Sequence, residues 1–234
     1  MAFNSGTIAN ISLTGACLVV MIMGGLRIHE RFSSVSQNSL QANPITDIDA
    51  EFSIAEAQVA GGPSAEIALV EFSDYECPFC AKFANETYGL LKTEFMDSQK
   101  IKFIAMNLPL DIHPQAHKAS QAAECAGDQG RFWDMRTRLF SPPSNLTMTA
   151  FREHAKRLRL EPTKFTRCID NGENEAKVNR QKELAARLGI KNTPTFVLGR
   201  LVDRVIFRGR KKIVGAQSVE LFRVAIDQVL DAAD

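Results

Sequence analysis

The chain has 234 residues, 45% hydrophobic and 24% charged, with a formal net charge of +1. This is enough for one large domain, or a modest domain with an extension. The near-neutral balance argues against nucleic acid as a main partner, because phosphate binding needs a basic surplus. Five cysteines are too few for a disulfide-built mini-protein, so compartment has to be argued from other features.

Residues 8–26 form a nineteen-residue apolar run without a charge, close to the ~20 residues with which a helix crosses a bilayer. Residues 1–31 are therefore expected to be an N-terminal membrane anchor or signal segment, built on one transmembrane helix. No small-x-small cleavage site ends the run, which favours an uncleaved anchor, with Cys17 embedded as a small hydrophobe. Arg27 and Arg31 follow the segment, and the positive-inside tendency alone would leave the remainder in the cytosol. The cysteine chemistry below argues for the opposite face. Residues 32–65 turn to Ser, Asn, Gln, Ala and Asp and end in GGPS, which reads as a linker with little core of its own.

From residue 66 the pattern is that of a folded domain. EIALVEF (66–72) and IKFIAMNL (101–108) are strand candidates, rich in branched and aromatic residues. The helical stretch 78–95 lies between them, so the three predict a right-handed βαβ unit with parallel strands. About residues 112–188 follow with several helical segments and no good strand, punctuated by Pro142-Pro143, Pro162 and Asn171-Gly172. Extended segments then return as TPTFVLG and LVDRVIF, followed by a basic turn, KKIVG and a final helix, SVELFRVAIDQVLDAA. The Lys- and Arg-rich stretch 200–212 is expected to be a solvated hairpin, with contact to an acidic partner or lipid headgroups as the sharper alternative.

Cys77 and Cys80 stand three apart in ECPFC, at the turn from the first strand into the helix. Proline is tolerated in a first helical turn, so Pro78 places Cys77 at the N-cap. A helix start within C-x-x-C can lower a cysteine pKa from ~8.5 into roughly the 3.5 to 7.5 range. Cys77 is thus the expected nucleophile and Cys80 the resolving cysteine. Glu71 interrupts an apolar strand, and a buried carboxylate there would have a raised pKa and could accept the proton of Cys80. A carboxylate at the strand edge with its head in water is the plainer alternative. A structural zinc site is not expected: it wants four ligands, whereas Cys125 and Cys168 are isolated and His113 and His117 sit elsewhere. Cys125 and Cys168 lie on separate helical segments, both flanked by apolar residues, and could form a structural disulfide if those helices pack, or remain two buried thiols. His113, His117 and Trp133 are expected to serve packing and surface only.

The motifs EFSDYECPFC, AAECAGDQGRFWDMRTRLF, LGIKNTPTF and GAQSVELF, spread over about residues 66–232, make the chain resemble the DsbA-like thiol:disulfide oxidoreductases of the thioredoxin superfamily. The resemblance implies an α/β thioredoxin fold over residues 66–234 with an inserted helical domain. It matches Cys77 to the nucleophile, Cys80 to the resolving cysteine and Glu71 to the buried acid. Pro194 matches the cis-proline facing the cysteines, with Thr193 before it, and Pro78, Phe79 and Thr193 would contact substrate. A cis X-Pro bond exposes the preceding backbone to an extended substrate. Phe79 departs from the strongest oxidants of the family, which carry a histidine there, and Asp74 and Glu76 would oppose a thiolate, so a milder oxidant is expected.

The resemblance further implies reduced or unfolded secreted proteins as substrates and a quinone-linked membrane partner as reoxidant. No cofactor is required, since the cysteine pair is the redox couple. An oxidising compartment suits this chemistry, so the catalytic domain is expected on the periplasmic or outer face of the inner membrane. The alternatives are a disulfide isomerase or reductase, to which Thr193 is also suited, and a non-enzymatic chaperone or binding module of the same fold.

Overall fold

A computed structural model describes residues 43–143 and 145–232. The expected membrane segment at 1–31 lies outside the described residues, as does the first part of the expected linker. Among the described residues no helix is long and apolar enough to cross a membrane. The rest of that linker is not a tether: Ile45–Ser53 forms β1 and Gln58–Gly61 forms β2, both in the main sheet. The difference has a physical source. β1 buries only Phe52 fully, and a register shift between Asp47 and Ala50 breaks its alternation, so the period-two signal of a half-buried strand is lost.

The centre of the sheet follows the sequence closely. β3 (Ile67–Ser73) is buried at every residue, because both faces of the sheet are covered and a strand covered on both sides is a continuous apolar run. It pairs in parallel with β4 (Ile101–Asn107). Between them the chain passes through helix α1 (Pro78–Lys82), a π-helical turn (Phe83–Thr87), α2 (Tyr88–Leu91) and a second π-helical turn (Lys92–Met96). The helices α3 (Ala116–Gly127), α4 (Phe132–Phe140), α5 (Met148–Arg157), α6 (Pro162–Asn171) and α7 (Glu175–Arg187) come next. The chain then returns as β5 (Thr195–Leu201), β6 (Ile206–Val214) and α8 (Val219–Asp231). The sheet order is β1-β6-β5-β3-β4-β2, with every pair except β3 and β4 antiparallel.

The expected basic turn is instead the middle of β6, which runs unbroken through Phe207-Arg208-Gly209-Arg210-Lys211. It extends because β1 supplies a partner: Glu51 stands opposite Arg208 and Asp47 opposite Lys211, each pair closing at 2.6 Å. Opposite charges directly across strands favour the pairing.

One face of the sheet packs Leu69, Phe103, Phe196 and Leu198 against Phe83 and Phe222. The other packs Val70, Phe72, Ile104 and Val197 against Leu184 and Ala185 of α7. A third core fills the helical insertion and reaches beneath Cys77 and Cys80, through Tyr75, Phe132, Met135 and Phe140. Cys125 of α3 and Cys168 of α6 form a disulfide, 43 residues apart in sequence. Helix α6 is sharply bounded by the Glu161 carboxylate, which accepts the Thr163 and Lys164 N–H groups, and by left-handed Gly172.

Closing a loop of 43 residues restricts the unfolded chain, at ~4 kcal/mol in the chain-entropy account. The double substitution Cys125→Ala and Cys168→Ala is expected to lower the urea midpoint by a corresponding amount. A shift equivalent to under ~1 kcal/mol would show that helix packing alone holds the insertion.

Candidate active site

β3 ends at Ser73, and three residues, Asp74-Tyr75-Glu76, carry the chain to Cys77. Cys77 is the N-cap of α1, in extended backbone (φ −75°, ψ 121°) with Pro78 in the first turn, where a missing N–H leaves no helical bond unmade. Asp74 fixes the loop. Its buried carboxylate accepts the N–H of Glu76 at 2.7 Å and of Leu110 at 2.8 Å, and meets His113 Nδ1 at 2.8 Å. Its main chain frames both cysteines, the carbonyl accepting the Cys77 N–H at 3.2 Å and the N–H donating to Cys80 Sγ at 3.4 Å.

Both cysteines are free. Cys77 keeps 5% exposure and Cys80 none, an asymmetry that sets their chemistry. The Cys77 thiol is pulled down from an ordinary 9.0 to about 5, chiefly by the Cys80 side chain donating to it, with help from Thr193 and from the N–H groups of Cys80 and Phe79, against the opposing effect of burial. Cys80 is pushed well up, first by burial, then by its bond to Cys77 and by the charges of Glu71 and Cys77. Across from them the Thr193–Pro194 bond is cis, and the Cys77 thiol donates to the Thr193 carbonyl at 3.4 Å. Phe79 stands 61% exposed beside this opening.

Glu71 is fully buried at the centre of the sheet and not at a wet strand edge. Arg136 Nη2 of α4 donates to its Oε2 at 2.7 Å, and both side chains are shut off from solvent. Burial raises the Glu71 pKa and the neighbouring guanidinium restrains the rise. Aromatic rings hold the guanidinium in turn, with Tyr88 at 4.8 Å and Phe140 at 5.0 Å. Among the described residues Glu71 Oε1 and Arg136 Nε have no hydrogen-bond partner.

Glu71, Cys77, Pro78, Phe79, Cys80, Thr193 and Pro194 thus converge at one end of β3, while Cys125 and Cys168 lie within the insertion. Arg136 and His113 join the site without having been singled out for it. Arg136 carried a signal: Phe132, Met135 and Leu139 form the apolar stripe of α4, and position 136 falls on that stripe. His113 carried none, since its partner Asp74 is 39 residues away.

A protein-family model described as thioredoxin matches residues 55–227. The chain belongs to the thioredoxin family, and its fold is that of the DsbA-family thiol-disulfide oxidoreductases. The structure of oxidised BdbD from Bacillus subtilis superposes with a TM-score of 0.67 at 22% identity, over 79% of this chain and 98% of that one. Wolbachia pipientis alpha-DsbA1 gives 0.64 at 23% identity, over 76% and 92%. Among curated proteins, a segment of the Na(+)/H(+) antiporter NhaA 1 of Salinispora arenicola is 33% identical over 139 residues. That segment is 59% of this chain but 21% of the antiporter.

Two expectations follow. Because the Cys77 pKa is lowered from 9.0 to about 5, the thiolate stabilises the reduced fold fully above pH 9 and this contribution is lost as pH falls through about 5. The melting temperature of the reduced protein relative to the oxidised one should therefore decline across that window, whereas a constant difference would contradict the assignment. Arg136→Met strands the Glu71 carboxylate and should cost about 3–5 kcal/mol. Adding Glu71→Gln should return most of it in a chemical denaturation series.

Proposed function

We propose that the protein is a thiol-disulfide oxidoreductase that forms or exchanges disulfides in other proteins through Cys77 and Cys80. The observation that carries this reading is the placement of two free thiols one helical turn apart, Cys77 at the start of α1 facing the cis Thr193–Pro194 bond and Cys80 sealed behind it, an arrangement that tunes Cys77 toward the anion and Cys80 toward the neutral thiol. In the oxidising direction a substrate thiolate attacks Cys77 Sγ of the Cys77–Cys80 disulfide. The Cys80 thiolate leaves and takes up a proton, for which Glu71 is the buried donor. A second substrate thiolate then attacks the mixed disulfide, the substrate disulfide forms, and Cys77 departs as a thiolate. Two electrons pass from substrate to the cysteine pair. A low pKa makes Cys77 the better leaving group, and a value of about 5 lies between the ~3.5 of the strongest oxidants and the ~7 of reductants, in keeping with a milder oxidant.

The Thr193 carbonyl beside Cys77 and the exposed Phe79 suit an extended, reduced chain lying along the cis-proline loop. In this reading residues 1–31 anchor the domain to the inner membrane with the site on its periplasmic or outer face. Reduced secreted proteins are the substrates and a quinone-linked membrane protein restores the disulfide. The apolar run at 8–26 supports the anchor. Isomerisation or reduction is the alternative direction, which Thr193 leaves open.

Cys80→Ser should accumulate a mixed disulfide between Cys77 and a reduced test protein, visible on non-reducing gels, and Cys77→Ser should abolish both the adduct and oxidation. Catalysis that survived loss of Cys77 would refute the mechanism. Faster reshuffling of a scrambled protein than oxidation of a reduced one would assign the isomerase direction. Labelling of Cys77 in intact cells by a membrane-impermeant maleimide tests the topology, and labelling only after lysis would reverse it.

A further inference from the structure

We infer that His113 strengthens the Cys77 thiolate by neutralising Asp74. The inference rests on the oxidoreductase reading but is tested by thiol ionisation and not by turnover.

Asp74 poses a problem for an anion at Cys77. Its carboxylate is buried, three residues before Cys77, and its main chain bonds to both cysteines. A like charge in that position disfavours a thiolate. Two of the donors that reach the carboxylate are backbone N–H groups, which bring no net charge. The third is His113 Nδ1, with a side chain 19% exposed, which in its protonated state makes the pair neutral.

The segment carrying His113 has little freedom to leave. Besides the His113 contact, the Leu110 N–H is held by Asp74 at 2.8 Å and the Gln115 N–H by Glu76 Oε2 at 2.7 Å. The loop before the cysteines and residues 110–115 are therefore one clamped unit. The charged and titratable groups acting on His113 are Asp74, Glu76 and Cys77 from that loop, and all three favour the imidazolium over the opposing effect of partial burial. On its own segment Asp111 is engaged by Lys182 of α7. The Phe79 ring has no N–H or O–H to donate. His113 is thus a positioning residue, acting on the reacting sulfur through Asp74.

The experiment is the ultraviolet titration of the Cys77 thiolate in the reduced full chain. His113→Gln should raise the midpoint by roughly half a unit or more, and the couple should become less oxidising in a glutathione equilibrium. His113→Lys, which keeps a cation, should stay near the parent. Adding Asp74→Asn to His113→Gln should bring the midpoint back, since the opposing charge is then gone. A folded His113→Gln protein with an unmoved midpoint overturns the inference, as does a double variant that keeps the full shift. A measurement without any substitution stands beside these: by reciprocity, His113 followed by NMR should titrate at higher pH in the reduced protein than in the oxidised one. Identical titration in both forms would overturn the inference equally.

Discussion

A sulfur anion is favoured at Cys77 because donors converge on it while its neighbour one turn away is kept from water. The helix start supplies N–H groups and Cys80 supplies its thiol, and the Thr193 carbonyl, which accepts from the protonated Cys77, lies on the far side. The bond that lowers one thiol raises the other, so the asymmetry belongs to the pair and cannot be assigned to either residue alone. The thiolate stabilises the reduced form of the pair.

The scaffold serves that asymmetry by rigidity. β3 is buried along its whole length and delivers Glu71 and the Asp74 loop to one end of the sheet. β5 runs antiparallel beside it and brings the Thr193–Pro194 turn to the same end. Groups of the candidate site from two neighbouring strands therefore meet without a flexible connection between them. Contacts such as Cys77 to the Thr193 carbonyl, 116 residues apart in sequence, are fixed by strand register.

How much of this could be read from the chain depended on whether a residue's surroundings were written near it. The βαβ unit was legible because β3 and β4 are enclosed, leaving unbroken apolar runs, and the C-P-F-C turn was legible because proline and cysteine spacing are local. Glu71 was legible as an anomaly within such a run. β1 was not, because an edge strand with a register shift and an acidic outer face resembles a solvated linker until its basic partner β6 is known. For the same reason the middle of β6 resembled a turn. Arg136 was half legible, as a charge on an apolar helical stripe. His113 was illegible, because its meaning lies wholly in a side chain from another segment.

The Glu71–Arg136 contact ties the helical insertion to a carboxylate whose charge acts on Cys80. Burial in β3 without a cation would disfavour the ionised carboxylate. One paired too strongly would remain ionised and could not donate one. Here the cation comes from α4, on the insertion, and is itself held by rings from three elements: Tyr88 of α2, Phe103 of β4, and Trp133 and Phe140 of α4. Movement of α4 relative to the sheet would change the distance between these two charges, and at low dielectric small changes in distance carry large energies. The position of the insertion is therefore a determinant of the Glu71 pKa, and through the charge that Glu71 presents to Cys80 it bears on the resolving thiol as well.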